Sequence, residues 1–208
     1  MSARVTIALV PLLWWATPLA AQVTLQVGGT YLDRRLADGA AVERQAGMLA
    51  GGGIRIALKS VAFTVSGNAG TLTAKTARTP DADYARLGAE LSAALAPWFA
   101  ASVGIAASVY VTPVGAQRWI LPRVGAELRL PFASIPGTAY LAGAALVGPT
   151  SNALVPARGG TDIRAGVSGG PSRVSVFAEY HLERLRFETG VAREEQRGEI
   201  TAGLRITP

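Results

Sequence analysis

After residue 22 the chain alternates apolar and polar positions with a period of two. Between residues 45 and 59, Ala46, Met48, Ala50, Ile54, Ile56 and Leu58 hold even positions, while Gln45, Gly47, Gly51, Arg55 and Lys59 hold odd ones. The same beat runs through Phe99, Ala101, Val103, Ile105, Ala107, Val109 and Val111. It recurs in Ile120, Val124, Ala126, Leu128 and Leu130, in Val174, Val176, Ala178, Tyr180 and Leu182, and in Ile200, Ala202, Leu204 and Ile206. A period of two sends alternate side chains to opposite faces of a β-strand. Ten strands are predicted, at about residues 23–35, 45–58, 60–72, 83–95, 98–111, 117–131, 137–147, 161–169, 173–187 and 196–206. The faces of 138–147 are poorly distinguished because both are rich in Ala. Segment 83–95 also fits a helix, since Leu87, Leu91 and Leu95 are four apart and Arg86 and Glu90 form an i,i+4 pair.

The connections favour a strand there. Segments 36–44, 73–82, 148–160 and 188–195 are long, residue 59, 96–97 and 170–172 are short, and 112–116 and 132–136 lie between. Long and short connections alternate in barrels that cross the outer membrane, with the short turns on the periplasmic rim. Ten strands is an even number and brings both ends to the short-turn rim; eight and twelve are the alternatives. Most segments exceed the ~9–11 residues that a tilted membrane strand needs. Strands of soluble sheets are nearer ~5–6 residues. The predicted class is therefore all-β, a transmembrane antiparallel up-and-down β-barrel over residues 22–208. Its apolar face points at lipid and its polar face into a narrow lumen. A soluble barrel would reverse those faces, and alternation alone does not separate the two. Phe99 and Phe132 beside short turns, with Tyr31 and Tyr180 toward the long loops, match two interfacial girdles. Pro122 falls inside a predicted strand and removes a ladder donor, so a bulge or kink is expected there.

Residues 1–21, MSARVTIALVPLLWWATPLAA, have one early cation, Arg4, then an apolar run and a small-residue end at Ala20 and Ala21. This is the layout of a secretory signal peptide cleaved after Ala21. The run is shorter than the ~20 apolar residues of a membrane helix. Composition then excludes several chemistries. The chain of 208 residues has no Cys, which removes disulfides, thiolate metal sites and cysteine nucleophiles. Its single His, His181, removes multi-histidine metal centres.

The formal charge is +6, yet the charges are dispersed. On the lumen parity lie Arg55, Arg86, Glu90, Arg123, Glu127, Arg129, Asp162, Arg164, Glu179, His181, Glu183, Glu199 and Arg205: six arginines, six carboxylates and the histidine. Buried charges need partners. A balanced set predicts an ion-pair network that fills the lumen and ties the strands together. A second basic set, Arg34, Arg35, Arg44, Lys75, Arg78, Arg158, Arg184, Arg186, Arg193 and Arg197, is expected near the outer loops. There it is either solvated or set against anionic lipid headgroups. No cluster or stripe of cations points to nucleic acid.

The whole of residues 22–208 resembles the small outer-membrane barrels of the OmpA/OmpX type. The most specific match is the last strand, whose Thr201, Gly203 and Ile206 fit the polar-x-Gly-x-x-apolar-x-aromatic ending of such barrels. Pro208 stands in place of the aromatic residue. The resemblance implies an outer-membrane location, a monomer without cofactor, and contact with membrane lipid, lipopolysaccharide and the barrel assembly machinery.

Catalysis is not expected. His181 has Glu179 and Glu183 on its own face, but Ser175 lies roughly 20 Å away along the strand at ~3.3 Å per residue. The expected function is a non-enzymatic outer-membrane barrel with a charge-filled narrow lumen, acting in membrane structure or surface interaction. The alternatives are a narrow pore or transporter for small solutes, and a soluble periplasmic lipocalin-like barrel holding an apolar ligand.

Overall fold

The computed structural model describes residues 21–208 except 78, 153–154, 172 and 189–192. The expected signal peptide and Arg78 thus fall outside the described residues, Ala21 excepted. The strands are β1 (Gln22–Asp38), β2 (Ala41–Leu58), β3 (Val61–Ala74), β4 (Ala82–Ala96), β5 (Phe99–Thr112), β6 (Gly115–Pro131), β7 (Gly137–Leu146), the two-residue β8 (Thr150–Ser151), β9 (Ala157–Gly169), β10 (Val174–Phe187) and β11 (Arg193–Ile206). Each long strand pairs antiparallel with its neighbours in the chain, and β1 pairs with β11, so ten strands close into a barrel.

Closure is staggered. The cross-strand register that starts at Val23 passes through Ile56, Phe63, Leu91, Val103, Val124, Ala145, Thr161, Arg184 and Gln196. It returns to β1 at Arg35, a stagger of 12 residues. With ~3.3 Å per residue and ~4.8 Å between strands, that stagger tilts the strands by about 40° and gives a radius of roughly 10 Å. Such a lumen is narrow enough for side chains to fill.

The faces are inside out relative to a soluble barrel. Val27, Met48, Ile54, Leu87, Leu91, Val103, Leu130, Val176 and Ile200 are all exposed on the outer surface. Inward neighbours such as Arg86, Asp162, His181 and Glu183 are enclosed. Segment 83–95 is strand β4, with Leu87, Leu91 and Leu95 outward and Arg86 and Glu90 inward. Trp98, Phe99 and Phe132 ring the rim that carries the chain ends, and Tyr31 and Tyr180 mark the far side of the belt.

Three expectations change. Segment 36–44 is not a long loop: β1 and β2 stay in register up to Asp38 and Ala41, joined by a tight turn in which Gly39 has φ +57°. Residues 112–116 likewise shrink to a turn at Pro113 and Val114. The asymmetry between rims thus comes partly from strands that project beyond the apolar belt. Pro122 causes no bulge against β5, where the register is continuous. Its carbonyl accepts from the Val147 amide at 2.9 Å, so its hydrogen-free nitrogen faces that same neighbour. Pairing with β7 therefore stops at Leu146, the chain turns through Gly148 at φ +58°, and it resumes against β6 at Thr150.

The Gly51-Gly52-Gly53 run belongs to a close approach of backbones. Gly203, Gly28 and Gly51 are consecutive inward residues of one cross-strand row. A Cβ on Gly28 would stand 2.5 Å from the Ala202 carbonyl oxygen, and one on Gly51 2.5 Å from that of Gly67. Only glycine fits where strands coil this tightly.

Candidate functional site: the lumen

The interior is layered. Toward the loop rim, inward positions are apolar: Leu32, Leu72, Tyr84, Tyr110, Trp119, Leu121, Leu146, Leu185 and Phe187 form one buried cluster. Tyr84 and Tyr110 pack at 4.8 Å between ring centroids, and Trp119 meets Phe187 edge-on at 5.7 Å. The lumen is thus not polar throughout, as the two-residue alternation had implied.

Through and below this layer runs one connected chain of charges. Arg34 Nε donates to Glu195 at 2.9 Å and Arg34 Nη1 to Gln45 at 2.8 Å. Arg197 donates to Glu195 at 2.9 Å and to Glu183 at 2.8 Å. Arg86 donates to Glu183 at 2.8 Å and lies 3.7 Å from Glu199. His181 follows, its Nδ1 3.7 Å from Glu199 and its Nε2 3.1 Å from Asp162. Arg123 and Arg164 close the chain, joining Asp162 to Glu90 at 2.9–3.7 Å. The links cross between β1, β4, β6, β9, β10 and β11, so the network spans the barrel rather than one strand pair.

Glu127 pairs with Arg129 nearer the terminal rim, and Glu179 accepts from Tyr140. Arg205 stacks over Phe177 at 4.6 Å. Arg55 shares a small gap with Arg129 and has no ion pair among the described residues. Arg34 and Arg197 correct the expectation of a solvated outer set. Both are buried inside the barrel, with Arg34 over the Tyr110 ring at 4.3 Å. Glu195, expected in a loop, is fully buried in β11 between them. The missed signal was parity: Arg34 continues the even inward set of β1, and Glu195 and Arg197 the odd set of β11.

Glu195 stands above the apolar belt, opposite Leu36. Burial alone would raise its pKa, but the guanidiniums of Arg34 and Arg197 outweigh that and hold it at about 2, below the usual 4.5. A depressed carboxylate stabilises the fold fully above its unfolded pKa, and that contribution is lost as pH falls toward the folded value. Stability of the folded barrel is expected to drop between pH 4.5 and about 2. Glu195→Gln is expected to flatten that drop, as read from the midpoint of the heat-induced gel-mobility shift at each pH.

On the terminal side of the charged layer lies a chamber of about 140 Å³, walled by Gly28 and Gly51 on one side and by Arg86, Arg123, Arg164 and His181 on the other. Asn68 Oδ1 and the Nε atoms of Arg123 and Arg164, all from residues lining it, have no hydrogen-bond partner among the described residues. The volume suits a few water-sized molecules. Asp162, His181 and Glu183 bring ligand-type atoms within 4.8 Å of one another. However, Arg86, Arg123 and Arg197 already bond those carboxylates, so the group suits ion pairing and not a divalent cation.

No protein-family model matches the chain, and no curated protein does. Among solved structures, the outer membrane protease OmpT from Escherichia coli aligns with a TM-score of 0.63 at 10% identity, over 92% of this chain and 98% of that one. The fold is that of an outer-membrane β-barrel. The translocator domain of the autotransporter NalP from Neisseria meningitidis aligns at 0.48 and 12% identity, over 89% of this chain and 88% of that one. Neisserial surface protein A aligns at 0.44 and 14%, over 91% and 99%. Its apolar belt is turned outward, as in barrels of the outer membrane.

Proposed function

We propose that this protein is a sealed, non-enzymatic outer-membrane barrel that acts in membrane structure or surface contact. The observation that carries this reading is the layer across the loop half of the lumen. Leu32, Leu72 and Leu121 have no exposed surface, and Trp119 and Arg197 have 1% each. Side chains enclosed to this degree support a lumen closed to water at that height. His181, the one histidine, sits beneath that layer and is tied to Asp162. A substrate at the cell surface would not reach it, and catalysis needs a base within reach of its substrate.

Folded protein, identified by its heat-modifiable band, should be silent in planar lipid bilayers. Discrete, salt-dependent conductance steps would replace this reading with that of a narrow solute pore, entered through the charged chamber.

A further inference from the structure

One row of the outer surface differs from the belt below it. Arg184 on β10, Gln196 on β11, Arg35 on β1 and Arg44 on β2 are successive register partners, so three arginines line up within a four-strand span. All three are exposed. Arg35 and Arg44 face each other directly, a like-charge pair that costs stability unless an anion lies between them. Arg44 is held by Asp33, while Arg35 and Arg184 have no acidic partner among the described residues. Glu194 engages Gln196 at the row's edge.

Immediately below runs a trough of about 610 Å³, floored by Gly198 and flanked by Tyr31, Tyr180 and Ile200, with Asp33 beside Gly198 turned up toward Arg44. A Cβ on Gly198 would have nothing closer than the Tyr180 hydroxyl at 3.8 Å, so the floor is open. Cations stand above, the Asp33–Arg44 pair lies along the upper edge, and the slot turns apolar between Tyr31, Tyr180 and Ile200 as it descends into the belt. That is the complement of an amphiphile with an anionic head and a hydrocarbon tail.

We propose that this row and trough hold a phosphorylated glycolipid of the outer leaflet, its phosphate on the unpaired Arg35 and Arg184 and one chain along Gly198. The proposal rests on the outer-membrane placement and not on whether the lumen conducts. The test uses folded full-length protein in detergent with three probes: purified bisphosphorylated lipid A, the same lipid dephosphorylated, and inorganic phosphate. Native mass spectrometry should retain a one-to-one adduct with the phosphorylated lipid only. At about 1 kcal/mol per cation near an anionic surface, the double variant Arg35→Ala/Arg184→Ala should bind it ~30-fold more weakly. Gly198→Val should also weaken it by filling the trough. Both changes lie on the exposed surface, and the heat-modifiable band checks that each variant folds. Equal retention of the dephosphorylated lipid would overturn the proposal, as would inorganic phosphate alone binding or no adduct with the wild type. Wild-type-like binding by the double variant would also overturn it.

Discussion

Glu183→Ala is expected to lower the stability of the folded barrel by about 3–5 kcal/mol, the cost of breaking a buried ion pair by removing one side. Glu183 is 1% exposed and accepts from both Arg197 and Arg86 at 2.8 Å. Removing its carboxylate takes a partner from each of two enclosed guanidiniums and leaves Arg197 with Glu195 as its one remaining carboxylate. Arg86 keeps only the longer 3.7 Å approach to Glu199. The contrast is Glu127→Ala. That side chain is 21% exposed near the terminal rim and pairs with Arg129 alone. Its loss should cost about 1 kcal/mol or less, as exposed pairs do. Urea midpoints of the heat-modifiable band measure both. Equal, small effects would mean that the central charges do not hold the strands together.

The second large effect belongs to the apolar layer. Trp119→Ala is expected to cost about 3–5 kcal/mol, because a large buried side chain leaves a cavity that a closed barrel cannot collapse. Trp119 would lose its edge contact with Phe187 and its place 5.8 Å from the Arg197 guanidinium. The double variant Trp119→Ala/Leu121→Ala should still be silent in bilayers. The Arg34–Glu195–Arg197–Glu183 links cross the same half of the lumen and stay in place. Conductance in that variant would locate the seal in the aromatic layer alone.

Much of the barrel was legible because a strand that is lipid-facing on one side and enclosed on the other must alternate. That is why β2, β5, β10 and β11 read cleanly. It is also why the thirteen lumen residues, from Arg55 to Arg205, all lie on inward positions. Two things were hidden. Alternation says which face a residue takes but not how far a strand extends, so Glu195 read as a loop charge and Arg34 and Arg197, at the ends of predicted strands, as charges near the outer loops. They are interior charges on strands that project past the belt. Nor does it say what fills the lumen at each height. Leu32, Leu72 and Leu121 are ordinary strand residues in sequence and become a layer only when a stagger of 12 residues brings their strands together. Pro122 was read as a fault in its own strand, whereas its missing donor acts on the neighbour, ending β7.

The most direct test of the outward apolar face exploits a chain without cysteine. Single cysteines at Leu87 and Ile105, mid-belt on β4 and β5, would carry a small fluorophore in protein reconstituted with lipids brominated along their acyl chains. Strong quenching at both sites is expected, with little at Gln26→Cys, which lines the chamber. Quenching at Gln26 and none at Leu87 and Ile105 would contradict the assignment of the faces.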